Sequence, residues 1–128
     1  MTRSGPPTLK LKIQLYCGEE IAMGPGKADL LDAIAASGSI SAAGRALGMS
    51  YRRAWLLVDT MNRCFAQPLV ETTPGGGKGS GAKVTGAGQA ILAAYRALEH
   101  QVDDSAKGEA RTTLEAALRS APLPFQHS

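Results

Sequence analysis

A mainly α-helical fold with a small antiparallel sheet is predicted by three features of this 128-residue sequence. Several segments place apolar residues at helical spacing between serine and glycine punctuation. Short alternating or β-branched segments flank them and read as strands. Hydrophobic residues make up 44% of the chain, so a single domain of this length can bury a core without disulfide or metal staples.

Residues 1–8 are polar, contain proline and glycine, and read as a loose leader. Leu9, Leu11, Ile13 and Leu15 then alternate with Lys10, Lys12, Gln14 and Tyr16, the period of a half-buried strand. Cys17 to Glu20 turns the chain, Ile21 to Met23 forms a short return strand, and Gly24-Pro25-Gly26 breaks it. The first helix is expected from about Lys27 to Ala36, with Leu30, Leu31, Ile34 and Ala35 as its apolar face and Gly38 as its stop. The second is expected from Ala42 to Leu47, capped by Ser39 or Ser41 and closed by Gly48. The third, from about Tyr51 to Phe65, is capped by Ser50 and buries Ala54, Leu57, Val58 and Met61. Pro68 stops it.

Strands are expected at Leu69 to Thr72 and Ala82 to Thr85, joined by the glycine-rich stretch 74-PGGGKGSGAK-83. Thr85 caps a final helix over 86–119. In it Ile91, Tyr95, Leu98 and Val102 fall at spacings of 4, 3 and 4, a coiled-coil-like seam that domain burial alone should not cover. Leu114, Ala117 and Leu118 resume the pattern, with a weak point at Asp104 to Gly108. Pro122 and Pro124 make 120–128 a tail. The organisation is therefore a leader (1–8), a domain (9–85), a long helix (86–119) and a tail.

Charge adds a functional direction. Residues 39–83 carry six basic side chains (Arg45, Arg52, Arg53, Arg63, Lys78, Lys83) against Asp59 and Glu71. That local excess exceeds the +3 of the whole chain, as a local anionic partner requires. Two short helices joined by a glycine turn are a helix-turn-helix, and two strands around a basic loop directly after it make a wing. Ala43 and Gly44 are small where the helices cross, and Gly48 supplies the left-handed turn conformation. The start of the third helix then projects Arg52 and Arg53, whose planar forks suit guanine edges or phosphates. Trp55 reads as a core residue between that helix and the sheet.

Other chemistries find no support. Cys17 and Cys64 form no CxxC pair, make no metal set with His100 and His127, and read as two buried thiols. Residues 77–82 match the loose G-x-G-x-x-A dinucleotide fingerprint, with Glu99 near the place of an acidic ribose partner, but no second parallel strand follows. A phosphate loop fails because Thr72 replaces its first glycine and Gly79 follows the lysine. No arrangement of catalytic triad or paired-carboxylate type is present, so an enzyme is not expected. No apolar run reaches the roughly 18 residues of a membrane helix, and the expected location is the cytoplasm.

The segments Leu9-Lys10-Leu11, Ser37-Gly38-Ser39-Ile40-Ser41, Ser50-Tyr51-Arg52-Arg53-Ala54-Trp55, Met61-Asn62, Leu69-Val70-Glu71 and Gly75-Gly76-Gly77-Lys78-Gly79 together resemble the N-terminal winged-helix DNA-binding domain of the ModE family of molybdate-responsive regulators, which is related to the LysR-type domain. The resemblance spans about residues 9 to 102. It implies a winged helix-turn-helix with a long C-terminal dimerisation helix, a homodimer, and a palindromic double-stranded DNA operator. On this resemblance the DNA-binding set is Ser41, Ser50, Tyr51, Arg52, Arg53, Lys78 and Lys83, and the dimerisation set is Ile91, Tyr95, Leu98 and Val102. Full-length members continue into a molybdate-binding region of small β-barrels. The sequence stops at Ser128, without length for that region and without a Ser-Ala-Arg-Asn-like segment. The expectation is a DNA-binding transcriptional regulator with only the DNA-binding half, no cofactor and no response to molybdate. The alternative is an accessory partner that dimerises with, and modulates, a full-length regulator.

Overall fold

In a computed structural model, residues 8–73 and 81–125 are described. The element order is β1 (Leu15–Cys17), β2 (Glu20–Met23), α1 (Pro25–Ser37), α2 (Ile40–Ala46), α3 (Tyr51–Cys64), β3 (Val70–Thr73), β4 (Gly81–Val84), α4 (Gly86–Ser105) and α5 (Glu109–Ala116). β1 and β2 form one antiparallel hairpin, and β3 and β4 a second. This is the helix-rich winged helix-turn-helix that the sequence leads one to expect. Among the described residues no helix is long and apolar enough to cross a membrane.

The helix boundaries follow from local chemistry. Pro25 opens α1, where its missing N–H costs nothing. Gly38, at φ 71°, closes it by donating its N–H to the Ile34 carbonyl at 2.7 Å. Ser39 caps α2 by accepting from the Ala42 N–H, and Ser50 caps α3 by accepting from the Arg53 N–H, both at 3.1 Å. Thr85 caps α4, accepting from the Gly88 N–H at 3.0 Å.

Behind these caps lies one apolar core. Met23, Ala28, Leu30, Leu31, Ile34, Ala43, Ala54, Met61 and Leu69 are fully enclosed, and no polar side chain is buried among the described residues. Asn62 joins α3 to the second hairpin: its Oδ1 accepts from the N–H groups of Leu69 (2.8 Å) and Val70 (3.2 Å), and its Nδ2 donates to the Val70 carbonyl (3.0 Å). The Ala82 N–H donates to the Gly38 carbonyl at 2.8 Å, tying β4 to the end of α1. On α4, Tyr95 is buried and its Oη donates to the Ile13 carbonyl at 2.7 Å. Arg96 bridges from α4 to Asp29 and Asp32 of α1.

Several expectations need correction. The first strand is short: only Leu15–Cys17 pairs, because the return strand is four residues long and the register slips between Leu15 and Tyr16. Residues 9–14 carry no ladder, and Leu11 and Leu15 are exposed. On α1, Ala28 is buried and Ala35 exposed. Leu57 of α3 is half-buried. Cys17 is exposed and Cys64 half-buried, so they are not two buried thiols. The final helix is not continuous over 86–119. It stops at Ser105, and Gly108, at φ 144°, separates it from the two-turn α5, which ends at Ala116.

Gly88 marks a close contact of α4 with the second hairpin and the residue that precedes it. A Cβ there would overlap the Leu69 carbonyl oxygen and stand 2.8 Å from Val84 Cγ1. Gly88→Ala is therefore expected to destabilise the fold by about 1–3 kcal/mol, the cost of overpacking a backbone contact. Gly86→Ala, which meets nothing within 4 Å, should cost much less. Urea unfolding of the two variants checks this, and equal midpoints would refute the close approach.

Candidate nucleic-acid interface

The turn between α2 and α3 is built from small residues and one left-handed glycine. Gly44 sits where the helices cross, and a Cβ on it would lie 3.0 Å from the Cβ of Ala54. Gly48 takes φ 71°, and the Met49 N–H returns to the Gly44 carbonyl at 2.9 Å. Met49 is half-buried and Ala54 fully buried beneath the turn. The first turn of α3 consequently faces outward, with Tyr51, Arg52 and Arg53 all exposed.

The salt bridges of the described residues leave this end of α3 unpaired. Arg63 pairs with Asp59 (2.9 Å) and Glu20 (3.0 Å), Lys107 with Asp104 (3.0 Å), and Arg111 with Asp103 (3.4 Å). Arg96 is held by Asp29, Asp32 and Glu99, which push its pKa further above the ordinary arginine value. Arg45, Arg52, Arg53 and Lys83, by contrast, take part in no salt bridge among the described residues. Lys27, in the first turn of α1, adds to the same field. Burial holds its ammonium below the usual lysine range, and the charge of Arg53 depresses it further. Sequence reading missed Lys27, since only the packing of α1 against α3 brings it near Arg53.

The remaining DNA-binding candidates are dispersed. The hydroxyl oxygen of Ser50 already accepts the Arg53 N–H, which leaves its proton to donate. Ser41 is half-buried on the first turn of α2. Lys83 is exposed on β4, directly across the ladder from Glu71. Lys78 lies outside the described residues.

Trp55 corrects the sequence reading. It is not in the core but 37% exposed, one turn beyond Tyr51, with the two rings edge-on at 6.1 Å and 63°. A shallow groove of about 480 Å³ is lined by Tyr51, Arg52, Trp55, Leu56 and Asp59. The residues facing the core are Ala54, Val58 and Met61, which leaves Trp55 about 100° round α3 from Ala54, on the flank of the buried face.

The candidate dimer seam divides in two. Tyr95 is buried within its own chain, and Ile91 packs against the same core. Leu98 is 39% exposed and Val102 half-buried. α5 buries nothing, and Leu114 and Leu118 are exposed on or just beyond it.

Comparison with known proteins agrees with this geometry. Residues 27–89 match the family of bacterial regulatory helix-turn-helix proteins of the lysR type. The chain is 49% identical over 77 residues to the molybdenum-pterin-binding protein MopA of Rhodobacter capsulatus, covering 60% of this chain and 29% of that protein. It is 46% identical over 70 residues to the molybdenum transport protein ModE of Azotobacter vinelandii, covering 55% of this chain and 26% of that protein. With the DNA-binding transcriptional dual regulator ModE of Escherichia coli K12 it shares 39% identity over 88 residues, which is 69% of this chain and 31% of that protein. The match thus spans less than a third of the length of these relatives. Residues 27–89 thus match the lysR-type family of bacterial regulatory helix-turn-helix proteins, and the chain is similar over this region to the molybdenum proteins ModE and MopA.

Proposed function

We propose that this chain is a sequence-specific transcriptional regulator that binds a palindromic DNA operator as a homodimer in the cytoplasm. The observation that carries the reading is the unpaired Arg52 and Arg53 at the outward end of α3, with Arg45 of α2 likewise unpaired, while Arg63, Arg96 and Arg111 are neutralised by carboxylates. An arginine free of a carboxylate partner meets DNA without first breaking an ion pair. The mechanism is binding, without a chemical step. Phosphate contacts from Ser41, Ser50, Lys78 and Lys83 set register and affinity, while Tyr51, Arg52 and Arg53 read bases. The dimer reading draws support from the apolar surface left at Leu98, Val102, Leu114 and Leu118. Tyr95 supports that helix from within its own domain and does not itself make the seam.

DNA binding is tested by measuring operator and random DNA across a salt series. Lys83→Ala should weaken both alike and lower the salt slope by about 0.9 for each phosphate that the lysine neutralises. Arg52→Ala or Arg53→Ala should cost about 1–3 kcal/mol for each base that the arginine reads on the operator, and less on random DNA. Equal weakening on both DNAs for both arginine variants would show that the pair holds only phosphates.

Dimerisation is tested by sedimentation. The wild type should be dimeric at tens of micromolar, and Leu98→Asp monomeric, since a carboxylate placed in an apolar interface has no partner. A monomeric wild type refutes the dimer.

These 128 residues are also proposed to bind DNA without molybdate. The one hydroxyl in the described core, that of Tyr95, is already bonded to the Ile13 carbonyl, and no other buried polar side chain is there to line an oxyanion pocket. A ligand at 100 times its Kd would stabilise the native state by about 2.7 kcal/mol. Molybdate is expected to leave the Tm unchanged, and stoichiometric uptake in calorimetric titration would overturn this.

A further inference from the structure

The outward face of α3 continues past the arginines as an aromatic and aliphatic strip that the core does not use. Tyr51 is 62%, Trp55 37% and Leu56 52% exposed. Such area on a recognition helix needs an account, because Ala54, Val58 and Met61 already complete the buried face. We infer that Tyr51 and Trp55 read thymine, by packing against its C5-methyl group in the major groove. The inference rests on the DNA-binding reading given above and extends it from arginine to the apolar strip.

Three observations converge. The strip is continuous with Arg52, which lines the same groove. At 1.5 Å per residue, Trp55 lies about 6 Å along the helix axis from Tyr51, close to two base steps of about 3.4 Å. One helix end thus presents an arginine fork and an apolar surface to neighbouring bases. Asp59, the next residue down this face, is engaged by Arg63 at 2.9 Å. That ion pair offers neither a free cation to a phosphate nor an apolar surface to a methyl group, so the DNA-facing stretch ends near Leu56.

Thymine is the base that fits. Apart from the small C–H edges of cytosine and the purines, the other groups on the major-groove edge are hydrogen-bond donors or acceptors, and covering one with an aromatic ring leaves it unsatisfied. The thymine methyl is the one alkyl group that projects there and gains by being covered. The edge-on packing of the two rings at 6.1 Å holds both side chains in place before DNA arrives. This reduces the ordering cost on binding.

The test uses duplexes selected by the wild-type protein from a random-sequence pool. Each thymine is then replaced in turn by deoxyuridine, which keeps the pairing and the O4 acceptor and removes only the methyl. The wild type should bind about three- to fourfold more weakly at one or two thymines, the effect of uncovering one carbon. Trp55→Ala should bind the parent duplex more weakly and show no further weakening at one of those positions. Trp55→Phe should keep part of the discrimination. Because Trp55 is the sole tryptophan of the sequence, its acrylamide quenching should also fall when the selected duplex is bound. Selected sequences that tolerate every methyl deletion overturn the inference while leaving DNA reading intact. So does a Trp55→Ala variant with the same uridine penalties as wild type. A pool that yields no enriched sequence removes the DNA-reading proposal and this inference with it.

Discussion

Helices α2 and α3 approach so closely at Gly44 that one added methyl would stand 3.0 Å from the Ala54 side chain. The rest of the recognition surface depends on that approach. It lets the Met49 N–H reach back to the Gly44 carbonyl, and it places the left-handed Gly48 at the turn. With the turn fixed, Ser50 stands at the cap of α3, and the next three residues leave the body of the domain. A larger residue at position 44 would wedge the helices apart and redirect the arginines. The direction in which Arg52 points is thus set by a side chain that is absent.

A second set of contacts makes the wing part of the same rigid unit. Asn62 satisfies three backbone groups of Leu69 and Val70 just after the chain leaves α3. Thr85 does the same at the far end of the hairpin, with its N–H on the Leu69 carbonyl, its Oγ1 on the Pro68 carbonyl and its cap on α4. The Asn62 bonds are partly buried, where an unpaired amide or carbonyl would cost about 1–3 kcal/mol. A hairpin of four-residue strands is marginal alone. Here α3, α1 and α4 each hold one of its corners. Charge completes the division of labour: the carboxylates that neutralise arginines lie on α1, on α4 and α5, on β2, and beyond the first two turns of α3.

What was legible in the sequence was local. Ser50 and Thr85 cap the helices they were expected to cap, Ser39 rather than Ser41 caps α2, and Gly38 and Gly48 turn where expected, because each acts within a few residues of itself. The outward-facing helix start could likewise be placed from the chain alone, since the turn and the paired arginines are adjacent in it. What failed was anything that needed to know which neighbour does the burying. Trp55 is one residue from the buried Ala54, and helical spacing alone did not say whether so large a ring would wrap inward. Lys27, Asn62, and the meeting of Cys17 with Cys64 depend on tertiary packing. Burial and the nearby Cys17 together raise the Cys64 thiol pKa, although the sequence shows only two distant cysteines.

The same limit explains the last helix. A seam at spacings of 4 and 3 records apolar demand without saying whether one chain or two supply it. In the structure the demand is shared. Tyr95 turns inward to the Ile13 carbonyl, and Arg96 locks α4 onto Asp29 and Asp32 of α1, while Leu98, one turn on, remains exposed. α4 therefore leaves the domain at an angle fixed by α1, the helix that also packs against α2. In the proposed dimer, a partner on Leu98 would be rigidly related to α2 and α3 through that clamp. The spacing between two recognition helices would then be set by the fold, and a break at Gly108, beyond the clamp, would not loosen it.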